Sequence, residues 1–232
     1  MGRQLPFEMP FETAFVIDDF LEAESNLDAR RLLASVSEWP NRVAAIWGAA
    51  GGGKTHLAHI WASTYQAEFI TMDRLRVQDA ESAHQIVLDC SSGELERDLE
   101  IPLFHLLNMI RERGGVMLIV AREPPARWSI NLPDLKSRLR ALPVAEVSTP
   151  DDALLAAVLA KQCADRQLAL APETADYLLK RSERSFVAIR RLVERLDRLA
   201  LERRRRKITT PMARAVFEDD EDRGSLEHGS RD

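Results

Sequence analysis

The chain is short of cysteine, of long apolar runs and of any leading apolar segment, and each shortage excludes a class of protein. Two cysteines in 232 residues, Cys90 and Cys163, give no C-x-x-C pair and no disulfide framework. The longest purely apolar runs, such as VMLIVA at 116–121, fall far below the ~20 residues that span a bilayer. The opening MGRQLPFEMPFE has no apolar h-region, and Pro6 stands where N-myristoylation wants Ser or Thr. No membrane association and a cytoplasmic location are therefore expected. What is present is ordinary for a soluble globular chain: 45% hydrophobic and 30% charged residues, enough for one sizeable core or a core plus a small second domain.

The net charge of −5 hides an uneven distribution. Residues 1–150 carry 15 Lys/Arg against 21 Asp/Glu, 151–217 carry 15 against 9, and 218–232 carry 2 against 7. Only the middle block is basic. A solvated helix face accounts for it better than a nucleic-acid site, and ERRRRK at 202–207 closes a predicted helix, where cations suit the macrodipole.

Along the chain, VAAIWG (43–48), EFITM (68–72), HQIVLDC (84–90) and GVMLIVA (115–121) read as short buried strands. Helical stretches separate them: KTHLAHIWASTYQ (54–66), and PLFHLLNMIRER (102–113) with Leu103, Leu106, Leu107 and Ile110 on one side. This alternation predicts an α/β fold, a parallel sheet covered by helices. After STP (148–150) strands disappear from the pattern, and helices are expected over 150–167, 171–182, 185–207 and 209–219. The third has Ile189, Leu192, Val193, Leu196, Leu199 and Ala200 as its apolar stripe. The boundary falls near Pro150, and the charged segment from 218 to 232 is expected to be disordered.

GAAGGGKTHL at 48–57 completes the pattern G-x-x-x-x-G-K-[ST] directly after a strand and at the opening of a helix. Gly48, Ala49, Ala50, Gly51, Gly52 and Gly53 would turn backbone N–H groups toward phosphates, aided by the positive end of the helix. Lys54 would reach the β- and γ-phosphates, and Thr55 would ligate Mg²⁺, with Asp89 holding the ion through water from the end of a neighbouring strand. Cys90, Ser91 and Ser92 follow, where hydrolysing P-loop proteins commonly place a second acid, so weak autonomous turnover is expected. His56 and His59 stand at i and i+3 without an evident third ligand, and no metal beyond Mg²⁺ is assigned.

GAAGGGKTHLAH, together with DDFLEAESN (18–26) and LPDLKSRL (132–139), resembles the AAA+ domain of the bacterial replication initiator DnaA, and most closely the Hda-type regulatory inactivators of DnaA. The resemblance runs over roughly residues 4–217. It implies an AAA+ P-loop domain over 16–149 and a small all-helical lid over 150–217; the residues themselves add an extended leader over 1–15, with Pro6 and Pro10, and the acidic tail over 218–232. It further implies that Arg138, in LKSR, acts as a finger toward nucleotide bound by a neighbouring subunit. An initiator's DNA-reading helix-turn-helix has no room after the lid, as expected of an inactivator. QLPF at 4–7 resembles the clamp-binding motif Q-L-x-L/F, with Gln4 hydrogen-bonding while Leu5 and Phe7 fill an apolar groove.

Two positions depart from the family. The Asp-Arg pair of sensor 1 is replaced by Ala121-Arg122-Glu123, and the sensor 2 arginine falls on Val187 or Ala188, with Arg190 and Arg191 a turn further on. The expectation is a nucleotide-holding regulator of replication initiation, with ADP favoured over ATP as the resting ligand. It would dock on the sliding clamp of DNA polymerase III and stimulate hydrolysis in DnaA through Arg138. Contact with DNA would be indirect, through the clamp, and a homo-oligomer stays open. The alternatives are a stand-alone P-loop ATPase or kinase, and a DNA-binding accessory protein like a helicase loader.

Overall fold

The computed structural model describes residues 23–72, 75, 84–91 and 95–217. Its centre is a five-stranded parallel sheet of β1 (Val43–Trp47), β2 (Glu68–Thr71), β3 (Gln85–Cys90), β4 (Val116–Ala121) and β5 (Val144–Glu146), in the order β2-β3-β4-β1-β5. All six residues of β4 are buried, as expected of an interior parallel strand covered on both faces. Successive side chains point to opposite faces of a strand, and the two cores divide accordingly.

On one face Ala45, Leu88 and Ile119 pack with Leu103, Leu106 and Ile110 of α3 (Glu100–Arg113) and with Leu135 and Leu139 of α4 (Pro133–Arg140). On the other, Ile46, Val87 and Leu118 meet Leu33 of α1 (Leu27–Ala34) and Leu57 and Trp61 of α2 (Lys54–Tyr65). Each such fully buried Leu or Ile contributes on the order of 1.5–3 kcal/mol relative to exposure. Four strands and helices α2 and α3 lie within a residue or two of the sequence expectation. The three-residue β5 and the eight-residue α1 and α4 were not read from sequence.

A third core is built by helices. α5 (Asp152–Asp165) starts at Asp151, whose carboxylate accepts from the Leu154 amide at 2.7 Å. α6 (Pro172–Leu179) begins on a proline, and α7 (Phe186–Glu202) is capped by Ser185, whose hydroxyl accepts from the Ala188 amide at 3.1 Å. Leu155, Leu159, Leu178, Ile189, Val193 and Leu196 fill the space between them. A further helical run covers 210–217.

α7 ends at Glu202, short of the expected Lys207. The chain turns at Arg204 (φ 51°) and seats Ile208 in the third core. Lys207–Ile208 (β7) pair in parallel with Ala169–Leu170 (β6), so a two-residue ladder lies within the helical part where no strand was expected. Burying one isoleucine overrides the helical continuation of the arginine run. Among the described residues no helix is long and apolar enough to cross a membrane.

Candidate nucleotide site and the arginine of helix α4

The sheet register sets the site. Trp47 and Cys90 both lie opposite Ala121, so β1, β4 and β3 finish level and Gly48, Arg122 and Ser91 start from one rim. β4 lies between the strand that feeds the glycine loop and the strand that carries Asp89.

The loop from Gly48 to Gly53 is tied down at its entry, where the Gly48 amide donates to the Ala121 carbonyl at 3.3 Å, and is closed by a turn from the Gly52 amide to the Ala49 carbonyl at 3.4 Å. Gly51 (φ 78°) and Gly53 (φ 97°) adopt left-handed conformations that glycine takes without strain. Both are also approached from the lid. A Cβ on Gly51 would stand 2.6 Å from Cβ of Ser185, and one on Gly53 would stand 2.9 Å from the Phe186 ring. The Phe186 amide donates to the Gly51 carbonyl at 3.1 Å, so the loop and the start of α7 form one seam.

Lys54 opens α2 and is 5% exposed. Its Nζ donates to the Ala49 carbonyl at 2.7 Å, and among the described residues no carboxylate lies within ion-pair distance. Burial pulls its pKa below the ordinary 10.5; Asp89 opposes that shift and Arg122 adds to it. A buried ammonium without a contacting counter-ion, at a helix N-terminus, fits the negative charge of a nucleotide's phosphates. Thr55 is exposed on the first turn of α2, and Asp89 is half-buried with Oδ1 accepting from the Ser91 amide at 2.8 Å. Both side-chain types suit Mg²⁺, Thr55 directly and Asp89 through water.

Cys90 is 2% exposed, and burial, with Asp89 adding to it, pushes its thiol pKa far up. It remains a protonated, inward-facing thiol and cannot polarise water as a second acid would. The ring of His59 stacks on Phe69 at 4.0 Å between centroids. Among the described residues no group of three or more His, Cys, Asp or Glu is arranged to hold a metal.

From the seam a groove of about 740 Å³ runs along α7, with Ala50 and Gly51 at one end and Arg191, Arg195 and Arg198 along its wall. Val187 is 43% exposed, and of the two arginines beyond it Arg191 lines this groove. Sequence reasoning left Arg190 and Arg191 undivided, because which side of α7 meets the loop depends on the packing of the lid.

Arg138 stands elsewhere. Its Nη1 donates to Oδ1 of Asn108 at 2.6 Å, and its Cζ lies 4.5 Å from the centroid of the Phe104 ring. Both partners belong to α3, so the structure brings Lys54, Thr55 and Asp89 to one rim and sets Arg138 against a different element. Gln4, Leu5 and Phe7 lie outside the described residues. Sequence reasoning missed Ser185, Phe186, Phe104, Asn108 and Glu100, for they meet the site across 30 or more residues of chain and no local spacing announces them.

Residues 151–217 match the family model described as the lid domain of Hda. An uncharacterized protein of Haemophilus influenzae is 25% identical over 230 residues, covering 94% of this chain and 99% of its own. Domain III of the Thermotoga maritima initiation protein DnaA superposes with a TM-score of 0.72 at 17% identity, over 91% of this chain and 98% of that one. AMPPCP-bound DnaA from Aquifex aeolicus gives 0.66 at 17%, over 94% and 72%. The branch-migration motor RuvB of Thermotoga maritima gives 0.64 at 18%, over 87% and 70%, so the fold is shared beyond initiators.

Proposed function

We propose that this chain, a DnaA-related AAA+ protein of the Hda type by its lid and its fold, is a nucleotide-holding regulator of replication initiation that stimulates ATP hydrolysis by DnaA in trans. In this reading residues 16–149 form the nucleotide-binding body and 150–217 the lid. Residues 1–15 are a leader that docks on the sliding clamp of DNA polymerase III through Gln4, Leu5 and Phe7, and 218–232 are an acidic tail.

The observation that carries the reading is the division of cationic duties within one chain. Lys54 faces Asp89 and Arg122 beside the glycine loop, whereas Arg138 is held on α3 by Asn108 and Phe104. A chain hydrolysing its own nucleotide would need a general base at the rim, and the residue after Asp89 is the buried thiol of Cys90. An arginine mounted away from its own phosphate loop suits a neighbour's nucleotide instead.

Gly48 to Gly53, Lys54 and Thr55 would hold the phosphates, with Asp89 completing the Mg²⁺ shell. ADP is the favoured ligand; its phosphates would supply the negative charge that Lys54 and the α2 N-terminus are placed to receive, and Mg²⁺ would neutralise part of the remainder. Arg191, which lines the same groove as Gly51, is the one of the pair Arg190 and Arg191 that we assign the sensor 2 role. Arg138 then spreads positive charge over the phosphoryl oxygens of ATP held by DnaA, an effect worth ~10³–10⁵ in rate for an arginine supplied in trans.

The test is ATP hydrolysis by the cognate DnaA in the presence of clamp loaded on DNA, with and without this protein. Wild type is expected to accelerate hydrolysis, Arg138→Ala to abolish the acceleration while still binding the clamp, and Gln4→Ala with Phe7→Ala to lose clamp binding and the clamp-dependent part of the effect. Acceleration that survives Arg138→Ala overturns the trans-arginine reading. Turnover by the pure protein at a rate matching the stimulated one would make it an ATPase in its own right.

A further inference from the structure

The groove along α7 joins an arginine wall to an apolar lining. Arg191, Arg195 and Arg198 stand at i, i+4 and i+7, which aligns them on one side of the helix, and Leu192, Leu199 and Val216 line the same groove. Glu183, Glu194 and Glu202 line it as well, so the groove is not uniformly basic. Yet Arg191 and Arg198 are exposed, and among the described residues no carboxylate lies within ion-pair distance of either. Glu194, three residues after Arg191 and four before Arg198, is spaced for a pair with each and makes neither.

The chain carries a complement to this wall. Phe217, the last described residue, lines the groove and meets Tyr177 edge to face at 6.4 Å between centroids. The sequence continues from it as EDDED at 218–222. Residues 151–217 carry 15 Lys/Arg against 9 Asp/Glu and 218–232 carry 2 against 7, so a block of positive excess is followed by a tail of nearly equal negative excess. We infer that the acidic segment 218–222 docks back on Arg191, Arg195 and Arg198 and shields them from other polyanions. The reach is sufficient: the arginines span about 10 Å along the helix axis, and five extended residues cover up to roughly 17 Å. Attachment at 217 sets the acids at an effective concentration on the order of millimolar, which a free polyanion of similar charge must match to compete. The contact is made at an exposed face, so salt weakens it. Arg138, on another element, has no part in it.

The test uses the full chain in saturating ADP, so that engagement of Arg191 by nucleotide is common to every sample. Ser225→Cys takes a nitroxide onto the tail, while Cys90 and Cys163 stay unlabelled because both are buried with their thiol pKa values pushed up, that of Cys163 to about 11. Spin-label broadening of the α7 amide signals from Val187 to Leu199 is expected, and it should fade in about 0.5 M NaCl. It should also fall when Glu218→Gln, Asp219→Asn, Asp220→Asn, Glu221→Gln and Asp222→Asn are combined. Arg191→Gln with Arg195→Gln and Arg198→Gln should reduce it likewise, whereas the corresponding Arg→Lys changes should preserve it, which separates charge from folding. The second readout is binding of a fluorescein-labelled thymidine 20-mer by anisotropy. Neutralising the tail is expected to tighten it at least about fivefold at about 0.1 M salt and to steepen log K against log salt by about two, the share of three cations on a single strand. Adding the three Arg→Gln changes should cancel that gain.

Equal broadening with and without the five tail substitutions overturns the docking. Broadening that passes from a nitroxide-bearing copy to an isotope-labelled copy without nitroxide, and is absent within one copy, gives the wall to a second molecule's tail and overturns the intramolecular contact. Oligonucleotide affinity and salt slope left unchanged by neutralising the tail overturn the shielding. A gain that survives loss of the three arginines overturns it too, because the tail would then repel the strand through net charge alone.

Discussion

Lys54 sets charge against burial. Its ammonium is buried, donates to one carbonyl, and is subject to opposing fields from Asp89 and Arg122. Without a ligand such a charge is a liability, because its desolvation is met by a single hydrogen bond. Lys54→Met is therefore expected to act with opposite signs on two measurements. The melting temperature of the nucleotide-free protein should stay level or rise. Nucleotide affinity should fall about 10–100-fold, as when hydrogen bonds to a charged group are lost, and the nucleotide-induced rise in melting temperature at a given nucleotide concentration should shrink accordingly. The pH dependence follows from the direction of the shift. The folded-state pKa lies below 10.5, so the unfolded chain binds more protons in the window just below that value, and stability gains as pH rises through it. Urea midpoints across that window should rise in wild type relative to Lys54→Met; parallel profiles would show that Lys54 is not the buried cation described.

At the scale of elements, α3 is the beam on which α4 is mounted, and Glu100 is the bracket. Donation from the Asn131 amide, with the Leu132 amide and Nδ2 of Asn131, holds the Glu100 carboxyl below its ordinary 4.5. A depressed carboxylate stabilises the fold fully above its unfolded value, and the contribution is lost as pH falls through the folded one. Glu100→Gln should lower the urea midpoint at pH 7, and the gap to wild type should close as the solution is taken below pH 4.5 toward the folded-state value. A gap that persists unchanged into acid would assign Glu100 a steric part rather than an electrostatic one.

This bracket also shows where sequence reading stops. The strands β1, β3 and β4 and the stripe of α7 were legible because apolar periodicity and length agree with burial. Gly48 to Thr55 and Asp89 were legible because the chemistry demands residue types at fixed spacing. The rest was hidden for physical reasons. β5 is three residues long with only Ala145 buried, α4 spans two turns, and Ile208 ends α7 through a pairing made with Ala169–Leu170. Glu100, Phe104 and Asn108 look in sequence like an ordinary charged and apolar helix, and only the placement of α4 gives them a task.

On the scale of the whole molecule, body and lid meet at the phosphate loop itself. The seam consists of the Phe186 amide on the Gly51 carbonyl, Ser185 against Gly51 and the Phe186 ring against Gly53. Nucleotide binding and lid position are therefore linked through backbone, and a side chain at 51 should uncouple them. Gly51→Ala would put its Cβ 2.6 Å from that of Ser185 and force an L-residue to φ 78°, a backbone strain of roughly 1–2 kcal/mol before any clash. The steric part can be removed separately. Ser185→Gly clears the space, and as an N-cap glycine costs only a few tenths of a kcal/mol. We expect Gly51→Ala to weaken nucleotide binding at least tenfold by calorimetry while the nucleotide-free chain keeps its far-ultraviolet spectrum. The double variant with Ser185→Gly should recover part of the loss, leaving the share due to φ. If the double variant recovers nothing, strain within the loop accounts for the whole effect and the lid contact at Gly51 is incidental; full recovery would mean that the lid alone sets the affinity. Partial recovery is the outcome that a seam shared between loop and lid requires.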